Sequence, residues 1–232
     1  ALLRVVDDFL YLSPSTAHAK LFARTIGAGN PDYGAHMNPT KSKVNFNVEV
    51  SVGGSSKVKV PLLDGDSNGD NTLRWCGLEI DTKRMSVGID IKRFTGYHIR
   101  DALTMPSAPK GRASAGRQGA GMYAKAVREK VAAAVKSRLH PILLDAELNP
   151  PYTVRRNIYQ VMALSAMKHV CYLESCGATM QPGAALAVVR SVHPYVVGIR
   201  NRGEFKECGV KVALRKEEAL WLGLHAYSAV IK

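Results

Sequence analysis

Val5-Val6-Asp7-Asp8-Phe9-Leu10-Tyr11-Leu12 sets two adjacent acids inside an otherwise apolar run. Successive residues of a strand point to opposite faces, so within a strand Asp7 and Asp8 would diverge. At the tip of a tight hairpin both can face one cavity. Residues 2–6 and 9–12 read as short strands flanking the pair, which predicts that hairpin. Two carboxylates in one cavity disfavour each other's ionisation. A divalent cation removes that penalty, and hard oxygen ligands suit magnesium. A solvated turn is the plainer reading of the same residues, and Asp-Asp by itself does not separate the two.

Working outward, Ser13-Pro14 predicts an N-cap followed by proline at the first helical position. Ala17, Leu21, Phe22 and Ile26 form an apolar stripe that Gly27 and Gly29 terminate. Strands are expected at 44–50 and 58–62, and a hairpin over 75–80 and 85–89 turns at Asp81-Thr82-Lys83-Arg84. From about residue 92 the pattern becomes helical. The stretch 122–139 places Tyr123, Val127, Val131 and Val135 on one face and Lys125, Arg128 and Lys136 on another. Thr153 is positioned to cap a long helix through Ile158, Met162, Ala166 and Val170. Pro194 predicts a kink or a break within 182–202, and Lys216-Glu217-Glu218 opens a last helix. The fold class is α+β, with a mixed part over 1–91 and an all-helical part over 92–232. The chain starts inside a strand-like pattern and stops inside a helical one, as expected of a piece of a longer protein.

With 232 residues and 46% hydrophobic content, the chain can bury one large core or two smaller ones. Its 32 Lys+Arg against 19 Asp+Glu leave a net charge of +13, which attracts polyanions, nucleic acid first among them. The cysteines, Cys76, Cys171, Cys176 and Cys208, contain no C-x-x-C pair, so a structural zinc site is not expected. Scattered thiols of this kind suit a reducing compartment. No apolar run reaches the roughly 18 residues that span a bilayer.

Several imitations of sites fall away on spacing. Asp64-Gly65-Asp66-Ser67-Asn68-Gly69 matches the first half of a calcium loop, but the twelfth position is Trp75 where a glutamate is required. Cys171, Cys176 and His169 would lie on different faces of a helix, and His18, His98 and His225 show no ligand spacing. The glycine-rich run 111–121 lacks the Gly-Lys-Ser/Thr ending of a phosphate loop. Its surroundings are unusual all the same: residues 92–138 hold eleven Lys+Arg against only Asp101 and Glu129. A basic loop entering a helix with a basic face fits a groove that tracks a phosphodiester backbone, through Lys110, Arg112, Arg117, Lys125, Arg128 and Lys136.

A strand–Asp–Asp–strand hairpin followed by a helix resembles the catalytic hairpin of reverse transcriptases. Leu3-Arg4-Val5-Val6-Asp7-Asp8-Phe9-Leu10 closely resembles motif C of the telomerase reverse transcriptase family. Asn38-Pro39-Thr40-Lys41-Ser42-Lys43-Val44-Asn45-Phe46 is similar to its motif D, and Trp75-Cys76-Gly77-Leu78-Glu79-Ile80-Asp81-Thr82 to its motif E. The W-C-G-L of the third is the most diagnostic. His98-Ile99-Arg100-Asp101-Ala102-Leu103-Thr104 and Thr153-Val154-Arg155-Arg156-Asn157-Ile158-Tyr159 resemble segments of that family's C-terminal extension. The similarity fades after about residue 176, and 64–72 and 106–121 look like insertions.

The resemblance implies that 1–91 is the distal half of a reverse-transcriptase palm and 92–232 a helical thumb. It implies Asp7 and Asp8 as metal-binding acids and two magnesium ions about 3.5–4 Å apart in the complete enzyme. It implies Lys41 as the motif D lysine that orients the incoming dNTP, against an ordinary surface lysine near a turn. Trp75, Cys76, Gly77 and Leu78 become the grip on the primer 3′ end, and the basic segment the contact to an RNA–DNA duplex. The remaining acid, in motif A, the fingers and the RNA-binding domain would lie upstream, so this piece alone is expected to add no nucleotide. The implied partners are telomerase RNA and the telomeric DNA primer, the place the nucleus at chromosome ends, with no membrane. A non-catalytic duplex-binding module and a palm–thumb piece of another reverse transcriptase are the alternatives, and a scaffold protein explains the charge but not the motif order.

Overall fold

The computed structural model describes residues 1–52, 56–63, 72–94, 99, 117–175, 179–199, 206–207 and 209–231. The expected features at 64–69, at His98 and 100–104, at Lys110, Arg112 and 111–116, and at Cys176 and Cys208 lie outside the described residues. The chain divides into two compact units, Ala1–Ser86 and Val87–Lys232.

The first unit opens with β1 (Leu2–Val5) antiparallel to β2 (Asp8–Tyr11). Val5 pairs with Asp8, so the two-residue loop is Val6–Asp7 and Asp8 begins the second strand. The tip therefore sits one residue earlier than the sequence predicts. Val6 takes φ +55°, a left-handed conformation that a β-branched residue adopts only under strain. Arg4 steadies it: Nε donates to the Val6 carbonyl at 2.7 Å, and the guanidinium lies 5.4 Å from the centroid of the Phe9 ring.

Helix α1 (Thr16–Ala28) starts two residues beyond the Ser13-Pro14 signal. Ser15 is the cap, its hydroxyl accepting the His18 N–H at 3.3 Å. Gly29, at φ +70°, ends the helix. Gly27 has another role: a Cβ there would stand 2.6 Å from Val50 Cβ, so its bareness lets α1 lie directly on β3 (Glu49–Val52). Tyr11 stacks on Phe22 at 4.4 Å, tying the first hairpin to the helix.

β3 pairs antiparallel with β4 (Ser56–Lys59), and Val48, Val50 and Val60 form the core with Ala23 and Phe46 against them. The strand expected from Val44 begins only at Glu49. Val44 instead bridges Leu62 in parallel, bonding the Pro61 carbonyl and the Leu63 N–H. Pro61 has no N–H with which to continue an antiparallel ladder. β5 (Thr72–Trp75) and β6 (Leu78–Asp81) follow, so the single strand expected over 75–80 is a hairpin of its own.

The second unit contains β7 (Val87–Ile89), α2 (Arg117–Arg138), the short α3 (Pro141–Leu144), α4 (Pro151–Glu174), α5 (Pro182–Ile199) and α6 (Lys216–Ile231). Val127, Val131 and Val135 are buried as their spacing predicts, while the Tyr123 side chain lies outside the described residues. Helix α2 starts at Arg117, so the last five residues of the glycine-rich run are helix rather than loop. Pro150 and Pro151 open α4, and Thr153, expected as its cap, is buried in the first turn. α5 passes Pro194 as one helix. Val87, expected in the palm half, is held by the helical unit: Asn149 Oδ1 accepts its N–H at 2.6 Å. Small antiparallel strands followed by packed helices make this an α+β chain, consistent with a partial palm and a helical extension.

Candidate active site

The carboxylates of the opening hairpin and the W-C-G-L hairpin lie in the same unit. Trp75 pairs with Leu78, leaving Cys76–Gly77 as a two-residue loop. Cys76 at φ +49° and Gly77 at φ +84° give the two left-handed positions that a type I′ turn demands. Gly77 is at ease there, whereas cysteine is not among the residues that favour this conformation. The Cys76 thiol donates to Asp8 Oδ2 at 3.6 Å. Two hairpin tips separated by 68 residues of sequence therefore meet through side chains. Trp75 and Leu78 are half-buried beside the turn, while Cys76, Asp7 and Asp8 are exposed.

Lys41 stands on a turn organised by Asn38. Asn38 Oδ1 accepts from the Thr40 N–H at 3.0 Å and from the Thr40 hydroxyl at 2.7 Å. The Ser42 hydroxyl donates to the Asn38 carbonyl at 2.9 Å. This side-chain mimic of a backbone turn leaves Lys41 exposed at the crest. Asp81 organises the turn after β6 by accepting the N–H groups of Lys83 and Arg84 at 2.9 and 3.0 Å. Burial pushes its carboxyl up, but the Arg84 and Lys83 backbone bonds and the Arg84 guanidinium together hold it below its ordinary value.

Among the described residues, no group of three or more His, Cys, Asp and Glu could hold a metal ion. Asp7 on the loop and Asp8 at the start of β2 offer two adjacent carboxylates. That donor set fits magnesium, which takes one or two carboxylates and completes its shell with water and substrate phosphates. His169, weighed above as a metal ligand, is a core residue with 1% exposure. Burial pushes its imidazole down to about 4, and Nδ1 lies 3.4 Å from the Tyr227 hydroxyl.

On α2, Lys125 and Lys136 are exposed and Arg128 is half-buried, away from the valine stripe. Lys125 lies 3.9 Å from Glu129. Lys136 Nζ stands 5.8 Å from the centroid of the Tyr195 ring, and the Tyr195 hydroxyl donates to the Lys136 carbonyl at 2.7 Å. The Arg117 side chain lies outside the described residues. The same unit gathers further cations that the sequence did not single out. Burial and then the charge of Arg93 push the Arg138 guanidinium down, and burial and then Arg138 do the same to the Lys168 ammonium. Only the fold brings these three within electrostatic reach, since they come from a 3₁₀ turn (Ile91–Phe94), the end of α2 and the C-terminal third of α4.

A carboxylate hairpin tip touching a second, glycine-containing hairpin, followed by a helical unit, has the parts of a reverse-transcriptase palm and its extension. Comparison with known proteins sharpens that class. Residues 125–232 match the family described as "Telomerase reverse transcriptase, C-terminal extension". The telomerase reverse transcriptase of Arabidopsis thaliana is 30% identical over 241 residues, covering 100% of this chain and 20% of the relative. That of Oryza sativa subsp. japonica is 30% identical over 237 residues, with 100% and 17% covered. The Bos taurus protein is 31% identical over 235 residues, with 97% and 19% covered. The chain belongs to the telomerase reverse transcriptase family, as a C-terminal fragment. It spans about a fifth of the length of these curated relatives. No helix among the described residues is long and apolar enough to cross a membrane.

Proposed function

We propose that this chain supplies part of the metal site, the primer grip and the duplex-binding thumb of a telomerase catalytic subunit. The complete enzyme would copy an RNA template into telomeric repeats at chromosome 3′ ends in the nucleus. The observation that carries the reading is the contact between Asp8 and Cys76, which sets one acid of the pair beside the residues expected to hold a primer end.

In this reading Asp7 and Asp8 hold magnesium, which when bound activates the primer 3′ hydroxyl and stabilises the departing oxygen. The Cys76–Gly77 turn presents backbone with little side-chain bulk, so the primer terminus can approach it closely. A displacement of about 1 Å at that point costs on the order of a hundredfold in rate, which is why the grip sits on a tight hairpin and not on a long loop. Lys41, raised on the Asn38 turn, orients the triphosphate and acts as a positioned proton donor to leaving pyrophosphate. Lys125, Arg128 and Lys136 contact the duplex backbone, fixing position without reading sequence. Arg93, Arg138 and Lys168 add positive potential to the same unit.

The test uses the full-length protein assembled with its template RNA. Asp7→Ala should abolish primer extension while leaving affinity for an RNA–DNA duplex nearly unchanged. Extension that survives the substitution would leave only the non-catalytic duplex-binding reading. The isolated chain, given template, primer, dNTP and magnesium, should incorporate nothing, because the motif A acid is expected upstream.

A further inference from the structure

The Cys76–Gly77 turn does not account for its own first residue. Asn, Asp or Gly would occupy a left-handed first position with less strain than Cys76 does at φ +49°. A non-glycine residue held in this region persists where its surroundings over-determine it, and such residues cluster at functional sites. What Cys76 makes that glycine could not is its bond to Asp8 Oδ2 at 3.6 Å. The acceptor is placed with equal care. Asp8 is the first residue of β2, directly after a loop in which Val6 is itself left-handed.

The chemistry of the donor narrows its role. A lysine or arginine at position 76 would neutralise Asp8 and compete with a cation for it. An aspartate would satisfy the turn but set another carboxylate against Asp8, and like charges repel. A thiol is a neutral, weak donor: it can fix the rotation of a carboxylate without cancelling the charge that attracts metal.

We propose that Cys76 is a positioning residue, whose thiol holds one oxygen of Asp8 and leaves the other for a divalent cation. The inference rests on reading Asp7 and Asp8 as the metal-binding pair. It is separate from the grip on the primer, because it acts before any primer is present.

Mn²⁺ binding to the full-length protein–RNA complex, followed by electron paramagnetic resonance without primer or dNTP, tests it. Cys76→Gly is the informative variant, since it deletes the thiol while relaxing the turn. Cys76→Ala deletes the thiol and keeps the strain, and Cys76→Ser restores a hydroxyl donor. Removal of the thiol should weaken Mn²⁺ binding about two- to threefold, the low end of the net worth of one hydrogen bond as befits a weak donor, with partial recovery in Cys76→Ser. A purely structural cysteine predicts the opposite for Cys76→Gly, unchanged or tighter binding, and that result overturns the proposal. Asp8→Asn separates the two levels. If it abolishes Mn²⁺ binding while Cys76→Gly does not weaken it, only the role of the thiol falls. If Asp8→Asn leaves Mn²⁺ binding intact, the metal reading falls and this inference with it.

Discussion

The Asn157 side-chain amide donates to the Val87 carbonyl at 2.9 Å and to the Leu143 carbonyl at 3.0 Å, inside the core of the helical unit. With Asn149 holding the Val87 N–H, both polar groups of one peptide residue are satisfied by asparagines of the helical unit. That is why Val87–Ile89, a strand by sequence, packs with helices. Asn157→Ala would leave two carbonyls without their donor in the buried core. A loss of roughly 2–6 kcal/mol in urea denaturation is expected, from about 1–3 kcal/mol for each of the two stranded groups. A loss below about 0.5 kcal/mol would show that the clamp is not needed.

Gly223 on α6 sits where a Cβ would fall 2.6 Å from Val189 Cγ1 and 3.2 Å from Met162 Cε. Alanine there gains about 1 kcal/mol of helix propensity but overpacks the crossing of three helices, at about 1–3 kcal/mol. Gly223→Ala should therefore destabilise on balance. Val189→Ala clears the space, so the double variant should be more stable than the sum of the single losses predicts. A thermal-melt cycle showing simple additivity would argue that the helices part freely.

His169 makes stability sensitive to acid. The folded chain protonates it only near pH 4, while an unfolded chain does so near the ordinary 6.5. Between those values the unfolded state binds more protons, so stability falls as pH falls, and the loss is complete below about pH 4. The gap corresponds to about 3 kcal/mol. His169→Gln should flatten the dependence of the melting temperature between pH 6.5 and 4, and an unchanged slope would place the acid sensitivity elsewhere.

Lys125, Arg128 and Lys136 bear on the duplex reading. Replacing all three by Ala should weaken RNA–DNA duplex binding for any sequence and reduce the log–log salt slope by roughly 2–3, close to 0.9 per lost phosphate contact. An unaltered slope, measured by titration at several salt concentrations, would move the duplex to another surface, with Arg93, Arg138 and Lys168 the next to substitute.

Val6, 80% exposed at φ +55°, contributes little apolar burial to offset its backbone strain. Val6→Asn should raise stability by about 1 kcal/mol. If extension by the complete enzyme falls while stability rises, the strained tip serves the placement of the two acids.

The local patterns of the chain were legible because they depend on near neighbours. The valine stripe of α2, the opening of α6 and the Asp-Asp hairpin follow from residues a few positions apart, and W-C-G-L marked the family. Boundaries were less legible where a distant partner decided them. Alternation through Val44-Asn45-Phe46-Asn47-Val48 reads as strand, but Pro61 opposite it cannot continue the ladder. Gly27 reads as a helix stop, yet the close approach of Val50 makes it a contact. The meeting of Asp8 with Cys76, and the gathering of Arg93, Arg138 and Lys168, came from tertiary structure alone. Sequence carries periodicity and turn chemistry; which side chains share an electric field or a hydrogen bond across 68 residues is decided when the core closes and sets their distances.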